Sequence, residues 1–159
     1  MKRRTAIKQL FILAGGIAIA TSCTGDRKSA SIALSQVDFS KEDEDLLAEL
    51  VEAIIPQNDT PGAKALNLHL FVMKMVDDCQ SPEDQQEFIT GLKDAKSVKG
   101  KSIDAIQAYF KSLPQEDKFY KILKHRTIMG YQNSEYVMKN KVIYELVPGR
   151  YNGAVKVNG

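Results

Sequence analysis

Between residues 40 and 130, apolar side chains recur every three or four positions, and the runs are broken by clusters of cap and turn residues. That spacing puts one apolar stripe on each of several helices, and such stripes must pack on one another to leave water. Leu46, Leu47, Leu50, Val51 and Ile54 form the first stripe. Ser40, with Asp43 three residues on, approximates a capping box ahead of it. Pro56 ends this segment, and Asn58, Asp59, Thr60, Pro61 and Gly62 make a turn-rich loop. Leu68, Phe71, Val72, Met75 and Val76 predict a second helix. Ser81 followed by Pro82, Glu83 and Asp84 is a strong start signal for a third, which carries Phe88, Ile89, Leu92 and Ala95. A break over residues 97–100 precedes a fourth helix with Ile103, Ile106, Tyr109 and Phe110. Leu113 and Pro114 close it and open a fifth, with Phe119, Ile122, Leu123 and Met129 inward. Gly130 and Tyr131 read as the stop of that helix, because glycine tolerates the left-handed backbone that ends helices, and Ser134 with Glu135 reads as a restart. Only residues 142–146 hint at a strand. The expected fold is all-α, a small bundle of about five helices with an irregular C-terminal tail.

Ahead of the bundle lies a leader. Lys2, Arg3 and Arg4 form a basic start, and residues 10–20 are apolar but too few to span a bilayer, which suits a signal peptide. Small residues then run into Cys23, as in a lipobox whose cysteine is acylated after cleavage; an ordinary signal peptide with a chance cysteine is the alternative. Arg3 and Arg4 also fit a twin-arginine export signal, with Ile7 and Lys8 agreeing and Ala6 standing where phenylalanine is favoured. Plain secretory export fits as well. By either route the protein is expected outside the cytoplasm, on the periplasmic side of a bacterial membrane and held by lipid at Cys23. The expected organisation is a signal peptide over residues 1–22, a flexible small-polar tether over 23–38 and a helical domain over 39–159.

The formal charge of +2 owes much to Lys2, Arg3, Arg4 and Lys8, and the leader holds no Asp or Glu. Without it the chain is slightly acidic, which gives no electrostatic reason to expect nucleic acid. Two cysteines exclude a disulfide scaffold. No Gly-x-Gly-x-x-Gly turn follows a strand, no haem-attachment motif occurs, and His69 and His125 lack neighbours at metal-ligand spacing. His69 reads as a partly buried packing residue and His125 as part of a basic helix face. Cys79 reads as a free buried thiol. Asp77 with Asp78, and the acidic run from Glu42 to Asp45, read as solvated helix faces and dipole partners. These residues assemble no catalytic centre, no cofactor site and no metal site.

The tail is the least generic part of the chain. Tyr131, Tyr136, Tyr144 and Tyr151 stand among the turn residues Pro148, Gly149, Asn152 and Gly153. Tyrosine offers a large apolar face and one hydroxyl, which suits a surface that buries another macromolecule. The tail packing back on its own helices accounts for the same residues.

Four features in order carry a family resemblance. They are the twin-arginine-like leader; the stretch from Leu47 to Pro56 with Asp59, Thr60, Pro61, Gly62 and Ala63; a central helical stretch; and the tail. In the tail the matching residues are Thr127 to Tyr131, Ser134, Glu135, and Val147 to Gly153. Together they resemble the gluconate 2-dehydrogenase subunit 3 family, the small subunit of exported flavin-dependent sugar dehydrogenases. The resemblance implies a non-catalytic partner of a large glucose–methanol–choline-type flavoprotein that holds FAD and oxidises a sugar or sugar acid. Electrons would pass to a cytochrome c, with haem c in a third subunit, or to another membrane acceptor. The small subunit would supply the leader that exports the folded complex. Gly130, Tyr131, Ser134, Glu135, Pro148, Gly149 and Tyr151 are then expected at the interface with the flavoprotein. The other classes left open are a stand-alone lipoprotein that binds a small ligand or another protein, and a catalytic protein whose acid–base pair is not evident.

Overall fold

The computed structural model describes residues 29–142. Among them are six α-helices and no strand beyond one isolated bridge. The helices are α1 (Lys41–Ile54), α2 (Leu68–Cys79), α3 (Pro82–Asp94), α4 (Ile103–Ser112), α5 (Lys118–Gln132) and α6 (Glu135–Asn140), with a 3₁₀ turn at Ala95–Val98. The all-α expectation holds. Caps set most of the starts. Ser40 and Asp43 form the expected capping box on α1, and Ser81 with Pro82 opens α3. Ser102, Asp117 and Ser134 accept the N-terminal amides of α4, α5 and α6. Pro114 lies in the turn before α5, which begins only at Lys118.

α5 runs along α2 and α3, while α1 packs on α2 and α4. Leu46, Leu47, Leu50 and Val51 are fully buried, as are Val72, Met73 and Val76 opposite them. Phe39, Phe88 and Phe119 form an aromatic chain through the centre, with ring centroids 6.3 and 5.2 Å apart. The buried stripe of α2 is Leu68, His69, Val72, Met73, Val76 and Asp77, so Phe71 and Met75 sit at its edge, half-buried.

The structure corrects four expectations. α5 does not stop at Gly130 and Tyr131 but continues to Gln132, with Asn133 as its cap. Gly130 is instead a contact point: a Cβ there would lie 2.7 Å from Phe71 Cδ1. Cys79 is exposed, because it follows the last buried position of α2.

Residues 29–38, expected within a tether, form an extended arm on the bundle. Ala30, Ile32, Leu34 and Val37 pack against the core, while Ser29, Ser31, Ala33 and Ser35 are exposed. This period-two alternation is that of a strand with one covered face. Ala30 donates its N–H to the Phe39 carbonyl at 3.0 Å, which turns the arm back beside the start of α1. Residues 23–28 of the expected tether lie outside the described residues.

The arm also explains the fourth correction. Asp77 and Glu44 are buried rather than solvated, at 1% and 3% exposure. Asp77 accepts the backbone N–H groups of Ser35, Gln36 and Val37, the shortest at 2.6 Å. Glu44 accepts the Ser31 N–H at 2.6 Å and the Ser31 hydroxyl at 2.9 Å. Burial pushes the Asp77 carboxyl up, but the three arm amides and Lys74 outweigh it and hold it far below the carboxylate range. Burial likewise opposes Lys41 and Ser31 at Glu44, and the net shift is downward.

Candidate functional site

α2, α5 and α6 enclose an open cleft of about 550 Å³. Leu66, Leu68 and Phe71 form one wall, and Gly130, Ser134, Glu135 and Tyr136 face them. Asn133, Lys139 and Asn140 complete the rim. Three of the residues singled out in the tail, Gly130, Ser134 and Glu135, therefore meet in one place.

Each is positioned by local chemistry. Ser134 ends the connection between α5 and α6. Its hydroxyl donates to the Tyr131 carbonyl at 2.7 Å and accepts the Val137 N–H at 3.3 Å, which fixes the angle between the two helices. Glu135 opens α6, exposed, and pairs with Lys139 one turn on. A hydrogen bond from Lys139, with its charge, holds the Glu135 carboxyl below its ordinary value. Gly130 gives the cleft its depth, since any side chain there would displace the Phe71 ring.

Tyr131 does something different. Its ring packs against the core, and its hydroxyl donates to Thr60 Oγ1 at 3.1 Å. It thus ties α5 to the turn-rich loop after α1. That loop is stapled by Glu52, whose two oxygens accept the N–H groups of Gln57 and Lys64, both at 2.8 Å. Gly62 lets the loop close, because a Cβ at that position would lie 2.6 Å from the Gln57 nitrogen. Pro148, Gly149 and Tyr151, like Arg3, Arg4 and Cys23, lie outside the described residues.

Leu66 and Phe71 were not singled out in the sequence as site residues, whereas Tyr136 was, among the tyrosines of the tail. Phe71 reads there as a core residue because it falls on the apolar stripe of α2. No periodic signal marks Leu66, which stands in the loop before α2.

His69 is 8% exposed, and its Nδ1 has no hydrogen-bond partner. Burial lowers its pKa; Glu44 opposes this, and Lys41 and Lys64 add to it. Among the described residues no three potential ligands gather as a metal site, and no helix is long and apolar enough to cross a membrane.

The family model for gluconate 2-dehydrogenase subunit 3 matches residues 41–109. The match runs from the start of α1 into α4 and includes the Glu52-stapled loop and the Leu66, Leu68 and Phe71 wall of the cleft. Gly130, Tyr131, Ser134 and Glu135 lie C-terminal to it. Searches among curated proteins and among solved structures return no match. Over residues 41–109 the chain is similar to the gluconate 2-dehydrogenase subunit 3 family.

Proposed function

We propose that this chain is the non-catalytic small subunit of a membrane-associated, FAD-dependent sugar or sugar-acid dehydrogenase. In this role it supports the export, assembly and stability of a large glucose–methanol–choline-type flavoprotein. The observation that carries the proposal is the family match over residues 41–109, whose description names a subunit of a dehydrogenase. FAD then belongs to the large partner, and electrons leave through a cytochrome c or another membrane acceptor. The twin-arginine-like Arg3 and Arg4 fit export of an already folded complex, and Cys23 fits a lipid anchor on the periplasmic side.

The cleft supports a place for the partner. Its wall is apolar, its rim is polar, and Tyr136 stands at its mouth, a composition typical of interface cores and rims. Tyr131 acts one step removed, holding α5 against the Thr60 loop. Pro148, Gly149 and Tyr151, outside the described residues, are further candidates for contact with the partner.

The test is capture of the tagged full chain from native membranes, read by flavin absorbance and by identifying what co-purifies. A yellow complex with a large partner, reduced on adding a sugar, is the expected result. A colourless monomer would instead favour a stand-alone lipoprotein.

A further inference from the structure

A second concavity lies beside α5, away from the cleft, and its chemistry is different. It is an open pocket of about 350 Å³ between the end of α1, the middle of α4 and the first half of α5. Ile54, Phe110 and Tyr120 give it apolar walls, and Lys111 and Lys124 stand at its edge. The walls are fixed. Phe110 and Tyr120 stack with centroids 4.8 Å apart, and the Gln107 amide donates to the Ala53 carbonyl at 3.0 Å. Lys124 Nζ lies 5.7 Å from the Tyr120 ring centroid, so the ring face already orients one ammonium.

The charges here are unbalanced. The pocket lining contains no carboxylate, and neither Lys111 nor Lys124 makes an ion pair among the described residues. Other lysines of α5 are compensated: Lys118 meets Glu83, Asp84 and Glu87, and Lys121 meets Glu116. Two unpaired ammonium groups over an aromatic-walled hollow complement a ligand that is acidic outside and apolar at its centre. The volume accommodates one large side chain with its flanks but is small for a cofactor-sized ligand. The surface also continues along α5. Ile128, 37% exposed, and Tyr131 follow Lys124 at helical spacings of four and seven, on the same face.

We propose that this pocket docks an acidic protein segment carrying one large apolar side chain, which packs into the hollow against Tyr120, Phe110 and Ile54 while flanking carboxylates meet Lys111 and Lys124. The source of the segment rests on the accessory-subunit reading: it belongs to the flavoprotein subunit. The pocket is then a contact separate from the cleft, and it contributes specificity through charge.

The test uses the detergent-solubilised full chain and two blocked tripeptides, Glu-Phe-Glu and its charge reverse Lys-Phe-Lys, followed by amide NMR shifts. The acidic peptide is expected to move resonances around Phe110, Lys111, Tyr120 and Lys124, with affinity falling as salt rises. The double variant K111E/K124E should weaken it about tenfold, the effect expected for reversing two solvent-screened contacts. Equal binding of the basic peptide, no shift at the pocket, or unchanged affinity in the variant would each overturn the proposal. Flavoprotein capture from native membranes assigns the source. Capture by the wild type that is weakened in K111E/K124E supports the assignment, and equal capture by both overturns it. If the wild type captures no flavoprotein, the accessory-subunit reading fails, while the peptide arm still decides what the pocket binds.

Discussion

At the arm, two carboxylates are buried and the amides that satisfy them come from residues 31–37 of the same chain. At the cleft, the one lining carboxylate, Glu135, is exposed and pairs with Lys139, and α6 has no buried residue at all. A buried carboxylate lowers the free energy only when converging donors replace its water. Asp77 and Glu44 meet that condition, so the carboxylates at the arm end are satisfied within the chain. The cleft end keeps apolar wall and polar rim open to another surface. The difference separates residues that hold the bundle together from residues that are free to dock.

The sharpest way to break this comparison is at Asp77. Asp77→Ala removes the acceptor of three arm amides and should cost about 3 kcal/mol of stability, as expected when a buried charged hydrogen-bonding group is lost. Hydrogen exchange should show the Ser35, Gln36 and Val37 amides losing protection first. Unchanged protection there would mean that the arm is held by its apolar side chains alone.

Acid should attack the arm end and spare the cleft. Asp77, Glu44 and Asp43 titrate lower in the folded chain than unfolded, so their contribution is complete above about pH 4.5 and is lost as pH falls below it. His69 acts earlier. Its folded pKa is depressed, so the unfolded chain binds the proton first and stability begins to fall as pH drops through about 6.5. A stability–pH curve should therefore decline in two stages, and His69→Gln should remove the upper one. A single stage in the wild type would contradict the burial of His69.

At the cleft end, Gly130→Val should cost about 2 kcal/mol by overpacking against Phe71, measured by denaturant unfolding. The smallest effect is expected at Tyr131→Phe. It removes only the hydrogen bond to Thr60 and should cost about 1 kcal/mol, with helical content unchanged.

The sequence made most of the helices legible because the apolar stripe follows a cap that a single residue can signal, as at Ser40, Ser81 and Ser102. It hid the arm. Ser29 to Leu34 alternates the small residues Ser29, Ser31 and Ala33 with the apolar Ala30, Ile32 and Leu34, a strand-like period, but serine and alanine are also the residues of a tether, and composition outweighed period. The burial of Asp77 and Glu44 was hidden for the same reason, since their donors are backbone amides more than ten positions away. Gly130 shows the opposite failure. Glycine is read as a stop from local propensity, while the space beside Phe71 is a tertiary requirement that no local pattern encodes. Of the candidate site, the proximity of Gly130, Ser134 and Glu135 was legible because they lie close together in sequence, at the end of α5 and the start of α6. The facing wall at Leu66 and Phe71 comes from a distant element and was not.

The most direct test of the docking role is capture of a flavoprotein from native membranes by the wild-type chain and by Asn133→Trp. Asn133 lies exposed on the cleft rim, so the indole would block the cleft without entering the core. Capture by the wild type, with loss of most of it in Asn133→Trp at equal helical content, is the predicted result. Equal capture by both chains would contradict the cleft as the docking site.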